Sequence, residues 1–235
     1  MIKKYAYTGA DVATDIRDTY DYDGDLAEIY ATNRDYVVHK WHHYIPLYDR
    51  YFGRHRGTGV RFLEIGVAKG GSLQMWRRFL GPEAVLYGID IRKDCARFDG
   101  VFGQVRIGSQ DDPEFLARVV AEMGGVDVVL DDGSHRMSHI EASLRALFPL
   151  LSEGGTYMIE DLHAAYWKGF EGGFDAPGNF FNTVRGIIDD MHQPYHHRDL
   201  RLPEMKRAVR GLHVHDSIVV IEKGAAPAPR HSRVA

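Results

Sequence analysis

From Val60 onward, short apolar runs alternate with amphipathic stretches along the chain. Each apolar run has the length and flanking residues of a strand, and the intervening stretches repeat their apolar positions at helical spacing. The predicted strands are 61–67, 84–91, 105–109, 126–132 and 155–161. The predicted helices between them are 72–80, 112–123 and 138–151. This alternation predicts βαβ units, and therefore a parallel sheet with helices on both faces.

The chain after residue 161 departs from this alternation. A stretch rich in glycine and aromatic residues predicts a mobile loop at 168–180, followed by a helix near 180–192. The next two β-type runs, 211–216 and 217–223, are joined too tightly for a helical crossover, so they predict an antiparallel hairpin at one edge of the sheet. The complete prediction is an α/β, Rossmann-like, doubly wound sheet of seven mostly parallel strands.

The N-terminal part predicts a helical cap. Residues 37–52 place aromatic and aliphatic side chains at largely helical spacing. Pro46 fits only near a helix start, so one helix is expected to begin there and another to precede it. Residues 1–24 show no sustained periodicity and predict a partly ordered arm. The predicted organisation is an arm and cap at 1–56, the main domain at 57–224 and a disordered tail at 225–235.

Composition excludes several classes of protein. The 235 residues are 44% hydrophobic and 26% charged, which is ordinary for a globular protein. A net charge of −4 gives no electrostatic attraction to nucleic acid or to an anionic membrane. Cys95 is the single cysteine, which excludes an internal disulfide framework and a multi-cysteine zinc site. We find no apolar run of membrane-spanning length and no signal peptide, so the expected location is the cytoplasm.

A glycine-rich turn follows the first strand of the main domain. Gly66, Gly70 and Gly71 lie where strand 61–67 passes into a helix, whose N-terminal amides can bind an anionic group. Their spacing differs from the dinucleotide fingerprint, and no P-loop motif is present. Asp90 ends the next strand, where an acidic side chain can accept both hydroxyls of a ribose. The turn is therefore a candidate nucleoside site, with a purely structural turn as the alternative.

Two pairs of carboxylates follow two later strands, and each pair precedes a histidine. Asp131 and Asp132 come after the apolar run 126–130 and before His135, and Glu160 and Asp161 come after the run 156–159 and before His163. The carboxyl ends of parallel strands face one crevice, so both pairs could line a single site. Acidic oxygens beside a histidine suggest a hard cation next to a general base. The alternatives are a helix N-cap cluster for the first pair, loop charges for the second and a structural role for the histidine.

These motifs carry a resemblance to a known family. The segments LEIGVAKGGSLQMW and LYGIDI resemble the cofactor-binding half of class I S-adenosylmethionine-dependent methyltransferases. The segments VDVVLDDGSH and GGTYMIEDLHAAYW are similar to those of the metal-dependent sugar O-methyltransferases that modify antibiotic glycosides such as macrolides. The resemblance covers about residues 38–168 and the C-terminal hairpin. The macrolide members carry a large additional N-terminal domain, where this chain has its arm and cap.

The resemblance implies a role for each matching residue. It implies S-adenosylmethionine as cofactor, bound by Glu64, Gly66, Gly70, Ser72, Asp90, Gln110, Asp111 and Asp131. It implies Mg²⁺ as the metal, held by Asp132, Glu160 and Asp161. His135 takes the role of catalytic base. Asp131 could face the cofactor or support its neighbour, because adjacent residues of a strand point to opposite faces.

The expected reaction is Mg²⁺-dependent methyl transfer to a hydroxyl of a saccharide or glycoside. A divalent cation favours the deprotonated hydroxyl, and His135 can accept the proton. The alternatives are a catechol-type phenol as acceptor, an oxidative enzyme or partner of the kind associated with cephalosporin hydroxylation, and a cofactor-binding protein without catalysis. The aromatic residues of the cap make a homo-oligomer plausible, and neither nucleic acid nor membrane is an expected partner.

Overall fold

A seven-stranded sheet organises the computed structural model, which describes residues 2–234. The strands are β1 (Arg61–Ile65), β2 (Val85–Asp90), β3 (Gln104–Ile107), β4 (Val126–Asp131), β5 (Leu151–Ile159), β6 (Val209–His215) and β7 (Ile218–Lys223). Their order is β3-β2-β1-β4-β5-β7-β6. Strands β1 to β5 are parallel, and β7 runs antiparallel to both β5 and β6. The predicted doubly wound fold, the seven strands and the hairpin are confirmed.

Helices cover both faces of the sheet. They are α1 (Val12–Tyr20), α2 (Leu26–Ala31), α3 (Tyr44–Phe52), α4 (Gly71–Leu80), α5 (Pro113–Met123), α6 (Met137–Leu147), α7 (Phe180–Met191) and the short α8 (Gln193–His196). Helices α5, α6 and α7 bury their apolar side chains with one face of the sheet, and α1 to α4 bury theirs with the other. Single 3-10 turns include Leu162–Tyr166 and Lys168–Phe170, after β5. Within residues 2–234, no helix combines the length and the apolar character that crossing a bilayer requires.

The N-terminal prediction needs two corrections. The arm contains α1, where the Asp11 side chain caps the helix by accepting a hydrogen bond from the Thr14 amide at 2.9 Å. Only Ala13 and Ile16 of this helix are buried, too few positions to give a visible period. No helix immediately precedes α3, because residues 33–43 are extended or turning, although Pro46 does lie in the first turn of α3 as predicted. Met1 and Ala235, the ends of the predicted arm and tail, lie outside the described residues.

The strand boundaries determine where the candidate site residues lie. Strand β1 ends at Ile65, β4 at Asp131 and β5 at Ile159, each slightly earlier than predicted. The glycine turn and the residues after both acidic strands are therefore loop positions at the carboxyl edge of the sheet. The order of strands reverses between β1 and β4, which is where ligands bind in open α/β sheets.

Candidate active site

A cavity of about 470 Å³ opens at this reversal of strand order. Its walls come from the glycine turn, the end of β2, the loop after β4 and the cap segment 37–40. The residues of the predicted site that line it are Gly66, Ser72, Asp90, Gln110, Asp132, His135 and Asp161. One cavity therefore joins the candidate nucleoside site to two of the four acidic residues, Asp132 and Asp161.

Close backbone approach explains two of the glycines beside the cavity. Gly66 has a φ of +99°, and a Cβ atom there would lie 2.0 Å from the backbone oxygen of Asp132. A Cβ atom at Gly71 would lie 2.4 Å from the carbonyl carbon of Val37 in the cap. The first glycine thus lets the turn pack on the acidic loop, and the second lets the cap cross the start of α4.

Asp90 closes the glycine turn from the neighbouring strand. Its Oδ2 accepts hydrogen bonds from the backbone amides of Val67 and Ala68 at 3.1 and 2.9 Å. Ala68 has a φ of +48°, a left-handed conformation that is uncommon for alanine. The carboxylate therefore fixes the turn while it lines the cavity, where a ribose hydroxyl could donate to its free lone pairs.

Four residues with an implied cofactor role do not line the cavity: Glu64, Gly70, Asp111 and Asp131. Glu64 is fully buried and accepts hydrogen bonds from Ser72 Oγ at 2.7 Å and Trp76 Nε1 at 3.0 Å. Burial raises the pKa of Glu64 to about 7. Glu64 thus orients Ser72, which does line the cavity, from behind.

Asp131 also acts from behind the cavity. Its carboxylate accepts hydrogen bonds from Ser143 Oγ at 2.6 Å and from Gln110 Nε2 at 3.1 Å. Burial raises the pKa of Asp131 to about 6. Gln110 in turn accepts a hydrogen bond from the Ser134 amide at 2.7 Å, so Asp131 orients the loop that follows β4. Of the two alternatives for Asp131, the side chain adopts the supporting one.

Asp132, His135 and Asp161 form a compact group, hereafter the Asp–His–Asp cluster. One ligand atom from each lies within 4.8 Å of the other two. His135 Nε2 is 3.8 Å from both Asp132 Oδ1 and Asp161 Oδ2. His135 and Asp161 have φ angles of +55° and +60°, left-handed conformations that cost about 1–2 kcal/mol for residues other than glycine. Strained backbone at two of three members is typical of functional sites.

The donors of the cluster fit a divalent cation. Carboxylate oxygens suit Mg²⁺ or Ca²⁺, whose ligand distances of about 2.0–2.6 Å let one ion reach donors separated by 4–5 Å. The side chains of Asp132, His135 and Asp161 are each 22–24% exposed, so water or an acceptor hydroxyl can complete the coordination. The cluster is therefore a candidate metal centre that opens to the solvent.

Glu160 lies outside this cluster, although the resemblance implies a metal ligand. Its Oε1 accepts a hydrogen bond from Lys40 Nζ at 2.5 Å, and its Oε2 accepts one from the Tyr48 hydroxyl. Lys40 Nζ is also 2.5 Å from Asp132 Oδ2, so one ammonium group bridges the two carboxylates. Burial and the nearby Asp132 raise the pKa of Glu160 well above its usual value.

The cap residues that hold these carboxylates were not found from the sequence. Burial alone would lower the pKa of Lys40, but Asp132 and Glu160 raise it well above its usual value. On α3, the Tyr44 hydroxyl donates to Asp161 Oδ1 at 2.8 Å, one helical turn before Tyr48. Both tyrosines are fully buried. Their four-residue spacing also aims both hydroxyls at the end of β5.

Comparisons with known proteins agree with this geometry. A family model described as a methyltransferase domain matches residues 63–162. Demethylmacrocin O-methyltransferase of Streptomyces fradiae is 39% identical over 216 residues, which are 85% of this chain and 53% of the relative. Mycinamicin VI 2''-O-methyltransferase of Micromonospora griseorubida is 39% identical over 196 residues, 78% of this chain and 48% of the relative. The chain thus spans about half the length of the curated relatives it matches.

Solved structures of a methyltransferase are also similar to this chain. The MycE methyltransferase of the mycinamycin biosynthetic pathway, in complex with Mg and SAH, matches 90% of this chain and 58% of its own with a TM-score of 0.77 and 34% identity. A second MycE structure, with Mg, SAH and mycinamycin VI, matches 87% of this chain and 54% of its own, also with a TM-score of 0.77 and 34% identity.

Proposed function

Because the chain belongs to the class I S-adenosylmethionine-dependent methyltransferases, we propose that it methylates a hydroxyl group of a saccharide or glycosylated natural product with the help of Mg²⁺. The observation that carries this proposal is the Asp–His–Asp cluster on the wall of the cofactor-sized cavity. Relatives that are 39% identical are named as O-methyltransferases of macrolide glycosides, which supports a sugar hydroxyl as the acceptor.

In this proposal the cavity holds S-adenosylmethionine between the glycine turn and the loop after β4. Asp90 has lone pairs available for the ribose, and Gln110 lies where the resemblance implies the adenine. Glu64 and Asp131 hold Ser72 and Gln110 from behind, as described above. The positive end of the α4 dipole favours the carboxylate of the methionine moiety.

The Asp–His–Asp cluster prepares the acceptor. Asp132 and Asp161 would hold Mg²⁺, and Glu160 would hold Lys40 and Tyr48 of the cap behind them. Bound Mg²⁺ supplies a positive charge that stabilises a hydroxyl oxygen as its proton leaves. His135 accepts that proton at Nε2, which faces both aspartates. The leaving thioether is neutral, so the chain needs no general acid.

The test measures methyl transfer from S-adenosylmethionine to a panel of acceptors containing mycinamicin VI, methyl rhamnoside and catechol. We expect turnover of a glycoside, its loss after treatment with EDTA and its recovery with Mg²⁺. His135→Asn should reduce turnover by about 10²–10⁴-fold, since that is the usual contribution of a general base. Asp199→Asn, at an exposed position, is the matched control.

Binding measurements separate the steps of this proposal. Asp132→Asn should abolish Mn²⁺ binding, measured by electron paramagnetic resonance, while calorimetry still detects S-adenosylhomocysteine. Full activity after chelation would remove the metal from the mechanism, and preference for catechol would change the acceptor class. Division of the chain at residues 56 and 224, assembly into a homo-oligomer and location in the cytoplasm stay predictions.

A further inference from the structure

Four aromatic side chains form a continuous row beside the Asp–His–Asp cluster. The ring of Trp41 is 5.4 Å from that of His163, and His163 is 4.8 Å from Trp167. Trp167 is in turn 5.9 Å from Phe170. These four residues, hereafter the aromatic row, are not among those that line the cofactor cavity. The row is therefore a separate surface.

Two members of the row, His163 and Phe170, approach the cluster. His163 Nδ1 is 4.0 Å from Asp161 Oδ1, and the Phe170 ring is 6.2 Å from the His135 ring. The part of the row from His163 to Phe170 thus forms an arc beside the cluster, from the Asp161 carboxylate to the His135 imidazole, and Trp41 extends the row beyond His163. A molecule lying on the arc would place its polar edge at the atoms of the candidate metal centre.

Separate elements hold the aromatic row in place. Trp41 follows Lys40 on the cap segment and packs against the cluster of buried residues on the cap side of the sheet. Trp167 and Phe170 pack against the opposite hydrophobic cluster. His163 is fixed between them, because its amide and its Nδ1 lie 3.0 and 2.7 Å from Ser217 Oγ. All four rings stay partly exposed, so the row combines firm support with accessible faces.

The orientation of the rings discriminates between acceptor shapes. Successive rings are inclined by 70°, 62° and 49°. They offer several short inclined faces and no flat slot between parallel rings. A planar phenol stacks best in such a slot, whereas a pyranose chair projects C–H groups in several directions. Aromatic rings also supply large apolar contact area at a low loss of side-chain entropy.

We infer that the aromatic row is the subsite for the acceptor sugar, and that Trp41 and Trp167 determine its specificity. The inference rests on the proposed function. The C–H groups of the pyranose ring pack on the two indoles, and its hydroxyls point toward the Asp–His–Asp cluster. The apolar contacts hold the ring, and the polar cluster acts on the oxygen. The apolar C–H face of the sugar thus contacts the aromatic row, and its hydroxyl groups face the Asp–His–Asp cluster.

The experiment compares Trp41→Leu and Trp167→Leu with the wild type on the best glycoside of the acceptor panel. Leucine keeps an apolar side chain and removes the ring face. Each variant should raise the acceptor KM by about 2- to 10-fold, the value of an aromatic contact, and leave kcat within about twofold. Affinities for S-adenosylhomocysteine and Mn²⁺ should not change. Phe174→Leu, whose ring is 82% exposed, is the matched control.

Each outcome decides a different question. An unchanged KM in both leucine variants overturns the subsite and leaves the proposed function standing. A joint fall in kcat and in S-adenosylhomocysteine affinity shows a purely structural row and also overturns it. Trp41→Phe and Trp167→Phe, which keep an aromatic face, should recover part of the lost KM and replace any leucine variant that fails to fold. Absence of turnover by the wild type on every panel member contradicts the proposed function itself.

Discussion

Two clusters of charged residues lie at opposite ends of the sheet, and they differ in burial and in charge balance. At the amino ends of β1 and β4, Arg61 pairs with Asp127, and their side chains are 30% and 23% exposed. At the carboxyl edge, Lys40 bridges Asp132 and Glu160, and the lysine and the glutamate are each 2% exposed. The first cluster has one charge of each sign, whereas the second has an excess of carboxylates.

The two clusters differ in how fully their charges are compensated. The Arg61 guanidinium donates to both carboxylate oxygens of Asp127 and also to the Gly124 carbonyl and Ser152 Oγ, so four of its five N–H groups have partners. The carboxyl-edge cluster has Asp161 in addition, and its single ammonium leaves a net negative charge. A surplus of buried or half-buried carboxylate is unfavourable for the fold alone, and the cation proposed above would offset it.

The largest expected effect comes from Lys40→Met, which removes the cation of the buried cluster. We expect the free energy of unfolding to fall by about 3–5 kcal/mol, since the change leaves two carboxylates without their buried partner. Unfolding by urea, followed by circular dichroism at pH 7 without divalent cations, measures the loss. This variant also breaks the link between the cap and the end of β5.

A second change separates the loss of charge from the loss of packing. Glu160→Gln in the Lys40→Met background removes the more buried of the two carboxylates that lose their partner, so the double variant should recover part of the lost stability. If the double variant is less stable than Lys40→Met alone, the loss of stability in Lys40→Met does not come from an unpaired buried charge. The contrast in burial and charge between the two clusters would then not explain their different contributions to stability.

The fold and half of the site followed from local patterns. Alternating strands and helices predicted the sheet, and two acidic strand ends predicted the position of Asp132 and Asp161. Neither pattern could supply Lys40, because it lies 92 residues before Asp132 in an irregular segment without periodicity. Its role depends on how the cap docks, which is a tertiary contact.

Side-chain direction was the other property that the sequence could not supply. Glu160 and Asp161 are adjacent, yet Glu160 turns inward to the cap and Asp161 turns to the cavity because its backbone adopts a φ of +60°. The alternation rule holds only within a strand, and β5 has already ended at Ile159. Of the three predicted metal ligands, the structure therefore groups Asp132 and Asp161 with His135 and places Glu160 against the cap.

The two ends of the sheet should also respond to pH in opposite directions. The folded-state pKa of Glu64, near the end of β1, is raised by burial to about 7 from 4.5. The folded protein then binds a proton that the unfolded chain has released, so this group's contribution to stability falls as pH rises from about 4.5 to about 7. Glu64→Gln should reduce the change in the free energy of unfolding between pH 4.5 and 7 by about 1–3 kcal/mol. Urea unfolding at several pH values across this window measures the change.

Asp127 should make stability depend on pH in the opposite direction. Burial alone would raise its pKa, but hydrogen bonds from Arg61 lower it to about 2 from 3.8. Its contribution is therefore complete above about pH 4 and is lost as pH falls toward 2. Asp127→Asn should remove a part of the acid destabilisation and leave the slope between pH 5 and 7 as in the wild type. A changed slope in that upper window would mean that the two ends titrate together.

The smallest expected effect is that of Arg61→Met, the counterpart of Lys40→Met at the amino end. We expect a loss of about 1 kcal/mol in urea unfolding at pH 7, because the partly exposed Asp127 can be solvated when its partner is removed. Mn²⁺ binding at the carboxyl edge should be unchanged. A loss as large as that of Lys40→Met would show that the number of hydrogen bonds, and not burial, determines the strength of each cluster. A loss in Arg61→Met that is smaller than the loss in Lys40→Met would show that the Lys40 pair stabilises the fold through its burial from water. The number of hydrogen bonds could not explain such a result, since the guanidinium makes more of them than the ammonium does.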